Sequence, residues 1–272
     1  FVCTWAIVLG YMTVVSFEAV ALPTVVENIV PGYSVGHLWT IAGWDVEASW
    51  VLVGVVGSLL MMWVNYIGIR TAALLQKLVT LLIVAVGLLF LTGALFSGEG
   101  GNLTPLFTGE SSVAGGIMGV LVMVPFMFVG FDVIPQAAEE IDMPHRDIGR
   151  LLVFSVLLAV FWYAAIIFGT AYVLSADGID LDSLAVPDAM AAAFSGAWAG
   201  KLMVLAGIAG IITSWNAFYI GGSRAIYALA KADMLPRMFA RLHPRYNTPT
   251  NAILLIGIVT SLAPLLGRSA MV

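Results

Sequence analysis

The chain has 272 residues, 61% of them hydrophobic and 10% charged, with a mean hydropathy of +1.03; a globular domain carries about 25% charged residues, so an ordinary soluble protein is excluded. Eleven basic against sixteen acidic residues give a net charge of -5 without a basic run, which removes the electrostatic footprint of nucleic-acid binding. The single Cys3 and the widely separated His37, His145 and His243 offer neither an internal disulfide nor a metal-ligand spacing, so no metal or other cofactor is expected.

A hydrocarbon core about 30 Å thick takes roughly 20 apolar residues as a helix. Charge-free windows near that length occur seven times: Phe1 to Phe17, Ala48 to Ile69, Leu78 to Gly98, Ser111 to Phe131, Leu151 to Ala176, Leu202 to Ser223 and Tyr246 to Gly267. Backbone groups at membrane depth must bond within their own segment, so the windows predict helices and an all-α integral membrane domain of seven spans. Alternation puts the loops after spans two, four and six on one side. Nine of the eleven basic residues lie there, among them Arg70, Lys77, Arg146, Arg150, Arg224 and Arg245, with only Lys201 and Arg268 opposite. The positive-inside rule makes that side cytoplasmic. Acids such as Glu27, Asp45, Glu47, Glu99 and Asp188 then face outward.

Span one starts at Phe1 with almost no polar lead-in, lacks the basic lead of a signal peptide, and reads as the start of a fragment. Its Glu18, toward the outer end, is with Asp132 one of two acids that could lie at membrane depth, but Pro23 and Glu27 predict that the helix stops nearby, so the carboxylate is expected to reach the outer interface. Span three, Leu78 to Leu91 included, holds no ionisable group.

Span four breaks the pattern. Its stretch VPFMFVGFDVIPQAAEE places Pro125, Gly130, Asp132 and Pro135 within eleven residues, and two prolines with a glycine between them weaken a helix at mid-membrane. The expected result is an outer half from about Gly115 to Phe128, an unwound stretch near Val129 to Asp132, and an inner half ending near Glu140. Carbonyls ending the outer half would attract a cation, and free amides opening the inner half a hydrogen-bond acceptor. Asp132 has two compatible readings. It caps the inner half-helix, or it binds a proton or a substrate ammonium because desolvation favours its neutral form. Phe126, Phe128 and Phe131 pack the break or contact a ligand there. Midway along span six, Thr213, Ser214 and Asn216 either bond helix to helix or line a cavity or ion site.

Three segments carry a family resemblance. Gly130 to Asp132 (GFD) followed by Ala138 to Gly149 (AEEIDMPHRDIG) resembles the sixth-helix signature of the amino acid–polyamine–organocation permease superfamily. Ser223 to Pro249, with Arg224, Asp233, Pro236 and the Thr248-Pro249 pair, is similar to its link between helices eight and nine. Asn65 to Gln76 (NYIGIRTAALLQ) resembles its link between helices four and five. The resemblance implies that the chain runs from helix three into helix nine of an inverted-repeat, leucine-transporter-type fold, with helices one, two and ten onward outside it. It also implies a multi-pass permease of the cytoplasmic membrane that carries amino acids or related amines by alternating access, and not an enzyme. The substrate would then lie against Phe126, Phe128, Val129, Gly130, Phe131 and Asp132, with Asp132 coupling a proton and Thr213, Ser214 and Asn216 a possible ion site. Some members of the superfamily use a lysine on helix five, which this chain lacks. Proton, sodium and counter-substrate remain open as coupling species, as does the oligomeric state. The small-molecule substrate and the lipid bilayer are the expected partners. A sensor or channel of the same fold is the alternative.

Overall fold

The computed structural model describes residues 2–104, 112–128, 130, 131, 133–136, 144–180 and 183–268. The chain divides into two units: Phe1–Leu81 with Val133–Asp142 and Gly207–Val272, and Leu82–Asp132 with Met143–Ala206. Helices dominate both. Five are long and apolar enough to cross a membrane: α1 (Val2–Val26), α2 (Ala48–Tyr66), α3 (Ile69–Ser97), α6 (His145–Val173) and α8 (Ala197–Lys231). The fourth and seventh windows hold the shorter α4 (Val113–Met127) and α9 (Thr250–Leu262), with α5 (Val133–Gln136) after α4 and α7 (Ala185–Ala193) before α8. The chain is a multi-pass membrane protein.

Helix α1 runs past its charge-free window, through Glu18 and Pro23, and ends at Val26, beside the Glu27 expected to mark its stop. Pro23 has no amide hydrogen for Ala19 O, and that carbonyl lies where α2 comes closest: a Cβ at Gly54 would stand 2.5 Å from it. The glycine lets its Cα–H face the freed oxygen, so packing tolerates the proline. The all-α expectation needs correction, since the described residues are not all helix. His37–Ile41 (β1) and Trp44–Glu47 (β2) pair antiparallel between α1 and α2. Ala42 and Gly43, at φ 49° and 79°, close a two-residue turn of the kind that matches strand twist.

The hairpin is anchored to its unit. Val46 is fully buried in a cluster with Val20, Trp50, Val51 and Ala263, and Trp39 Nε1 donates to Leu265 O at 3.0 Å. The main core of that unit gathers Val15, Trp215, Tyr219, Ile226, Ile253 and Ile256 from α1, α8 and α9. Glycines make its closest approaches, since apolar surface alone does not drive helices together in lipid and small residues let dispersion do so. Tyr11 lies over Gly221 and Gly222, and Trp215 and Leu22 lie over Gly57.

The second unit uses the same device with aromatics. Trp162 fills the space at Gly87, Phe194 that at Gly93 and Tyr172 that at Gly98. Its core joins Val86, Phe90, Met190 and Ala199. Asn102 Nδ2 donates to Tyr172 O and Val173 O, both at 3.1 Å, closing the carbonyl end of α6.

Candidate functional site

The two prolines of span four fall inside helices, Pro125 in α4 and Pro135 in α5, and Gly130 falls between the two. Helix α4 ends at Met127 and the next helical turn begins at Val133. Gly130 between them has φ +112°, a conformation that side chains with a Cβ rarely adopt. Val129 and Asp132 lie outside the described residues, as does the stretch 137–143, so the expected inner half to Glu140 is described only as α5. Phe126 falls within α4, and Phe131 is exposed.

The carbonyls that end α4 were expected to await a ligand. One of them has a partner: Tyr163 Oη on α6 donates to Met127 O at 3.0 Å, and its ring meets Phe128 edge-on at 5.4 Å. Sequence reasoning passed over Tyr163 because nothing in an apolar span separates a tyrosine that ties down a broken helix from one that packs.

The polar residues of α8 divide by partner. Asn216 is fully buried and saturated. Its Oδ1 accepts from Asn65 Nδ2 at 3.1 Å, and its Nδ2 donates to Ala72 O and to Gln76 Oε1, both at 3.1 Å. This ties α8 to α2 and to the start of α3 in one unit, the arrangement of an interhelical lock. Thr213 Oγ1 turns back to Gly210 O at 2.7 Å within its own helix.

Ser214 points elsewhere, to Glu18. Their side chains are hydrogen-bonded across α1 and α8, and Glu18 is only 7% exposed. The expectation that Glu18 reaches the outer interface is therefore corrected: the acid is inside the protein, eight residues or about 12 Å from the outer end of α1. Pro23 and Glu27 suggested a nearby helix end, and the deep partner that offsets the cost of burial lies 196 positions away in sequence.

At the outer end of the same unit, a cavity of about 560 Å³ is lined by Glu27, Asp45 and Glu47 with Trp44, Trp50 and Arg268. Glu27 holds its loop by accepting from Gly32 N at 2.8 Å and Ser34 Oγ at 2.6 Å. Nearby, Tyr33 donates its hydroxyl to Pro23 O at 2.7 Å, and burial pushes that phenol up to about 12.

A family described as amino acid permease matches residues 1–271 of the chain. Similar proteins include the branched-chain amino acid permease of Bacillus subtilis (strain 168), 24% identical over 272 residues that cover 96% of this chain and 57% of that protein. Cationic amino acid transporter 4 of Homo sapiens is 29% identical over 214 residues, 77% of this chain and 31% of its own length. The chloroplastic cationic amino acid transporter 6 of Arabidopsis thaliana is 29% identical over 153 residues, 54% of this chain and 25% of its own length. The chain thus spans 57% or less of the length of these relatives.

Proposed function

This chain belongs to the amino acid permease family, and from that membership we propose that it is part of a secondary transporter that carries amino acids or related amines across the cytoplasmic membrane by alternating access. One observation carries the mechanism: helix α4 ends at Met127, α5 begins at Val133, and Gly130 between them has φ +112°. Backbone freed from a helix at membrane depth has to be bonded by protein or face a polar cavity. In this reading the substrate's amino group lies against carbonyls of Phe126 to Val129 while Gly130, with no side chain, lets it approach the backbone. Tyr163 holds the end of α4 in position through Met127 O. Phe131 is the candidate wall or gate, and Asp132 exchanges a proton as the two states interconvert.

Charge favours neutral or cationic substrates, because none of the seven apolar windows contains Lys or Arg to meet a second substrate carboxylate. The names of the relatives, which mention branched-chain and cationic amino acids, fit that preference. An enzyme is disfavoured, since intramembrane catalysis asks for clustered catalytic groups at depth. Purified full-length protein in proteoliposomes tests the reading through uptake of radiolabelled leucine and arginine in turn. Saturable uptake is expected, and Asp132→Asn is expected to change its pH dependence. Absence of saturable flux for every amino acid and amine tried would remove the transporter reading, and an unchanged pH profile would remove Asp132 from coupling.

A further inference from the structure

The Glu18 and Ser214 side chains meet across α1 and α8 with Glu18 buried. Ser214 is the middle residue of the 35-residue α8, and its Oγ faces two acceptors, Glu18 Oε1 and Ile211 O at 3.2 Å. The serine hydroxyl donates to Glu18 Oε1 and leans on the carbonyl one turn back in its own helix, so a carboxylate here is held by one neutral hydroxyl.

The surroundings favour the neutral form of Glu18. Val15, Ala19, Leu22, Ile211 and Trp215, neighbours of Glu18 and Ser214 along α1 and α8, belong to or pack on the apolar core cluster of this unit. Among the described residues, α2 has Tyr66 at its far end, α9 has no ionisable group, and α1 has Cys3 and Tyr11 besides Glu18. Helix α8 has Lys201 thirteen residues before Ser214, Tyr219 five beyond it, and Arg224, Tyr227 and Lys231 ten or more beyond it. An ionised carboxylate held by one hydroxyl in such a place costs several kcal/mol.

We propose that Glu18 and Ser214 form a proton-binding site inside the membrane domain, separate from the break in span four, with Glu18 carrying the proton in the conformation described here. The proton leaves when Glu18 parts from Ser214 and meets water; the bond lost is the carboxyl O–H, and the acceptor is a water molecule. That a proton is bound does not depend on transport, whereas its part in coupling rests on the permease reading above.

Two measurements on the full-length protein test the site. Glu18→Gln keeps the shape and an oxygen that accepts from Ser214, so it separates charge from packing; Ser214→Ala is the second variant should Gln impair folding. In infrared spectra at neutral pH, the wild type is expected to show a carboxylic-acid C=O band that Glu18→Gln lacks and Ser214→Ala shifts. In proteoliposomes under an imposed gradient of one pH unit, Glu18→Gln is expected to accumulate substrate about tenfold less than the wild type, the loss of one coupled proton, while exchange of internal for external substrate continues. A spectrum unchanged by Glu18→Gln, with the variant folded, overturns the site. An unchanged accumulation ratio, or accumulation that follows sodium and ignores pH, overturns its part in coupling. If no substrate moves but the infrared band disappears in Glu18→Gln, the permease reading fails and the proton site stands.

Discussion

Asn65 on α2 and Asn216 on α8 are bonded amide to amide at 3.1 Å, in a position where both are buried and Asn216 also holds Ala72 O and Gln76 Oε1. Each of Asn216's three bonds crosses to another helix. Asn216→Asp keeps the shape but exchanges the donating nitrogen for an oxygen, leaving the Ala72 and Gln76 oxygens facing another acceptor. A buried group stripped of its partner costs about 1–3 kcal/mol. Denaturant unfolding in detergent is expected to show a loss in that range, with Asn216→Gln milder. No change in midpoint would mean that the lock contributes nothing.

Gly54 sits where a side chain has no room. An added Cβ would lie 2.5 Å from Ala19 O and 2.7 Å from Pro264 Cγ, and the first of these is backbone. Gly54→Ala is expected to destabilise by about 1–3 kcal/mol through overpacking. Gly149→Ala in α6, with nothing within 4 Å, serves as the control, and there helix propensity predicts a gain of about 0.5–1 kcal/mol. Comparable midpoints for the two variants would contradict the close approach of α1 and α2.

Glu18 and Ser214 permit a double-mutant cycle. Interhelical hydrogen bonds in membranes average about 0.6 kcal/mol and reach about 1.7. The cycle through Glu18→Ala and Ser214→Ala is expected to return a coupling within those limits, measured by unfolding in detergent. Strict additivity would mean that the two side chains do not interact.

The Tyr33 phenol, raised to about 12 by burial, makes the loop after α1 sensitive to alkali. An unfolded tyrosine titrates near 10, so the folded state favours the neutral hydroxyl. Its contribution is present in full below pH 10 and is lost as pH rises from 10 toward 12. Phenolate absorbance on titration is expected to show one fewer late tyrosine in Tyr33→Phe than in the wild type. A wild-type curve identical to that of the variant would place the Tyr33 hydroxyl in water.

Much of this architecture was readable from composition. Apolar runs located the five long helices, and Gly130 was legible as a residue between helices because its conformational freedom is local backbone chemistry. What escaped reading depends on partners distant in sequence. Glu18 looked interfacial because its neighbours Pro23 and Glu27 are local signals, whereas Ser214 is not. Asn65 stood out only as part of a family-like link, and its bond to Asn216 arises from tertiary packing. The hairpin from His37 to Glu47 was hidden in a loop too short to display a strand period against the apolar background. Tyr163 carried no signal, since its role is set by where α4 ends.

Initial rates of amino acid uptake by full-length protein and its Gly130→Ala variant in proteoliposomes test the account most directly. The backbone at φ +112° accommodates glycine and resists alanine, so the variant is expected to lose saturable uptake while keeping the circular dichroism of the wild type, with an unfolding midpoint lowered by strain of about 1–3 kcal/mol. Uptake by Gly130→Ala at the wild-type rate would contradict a substrate site at the interrupted helix.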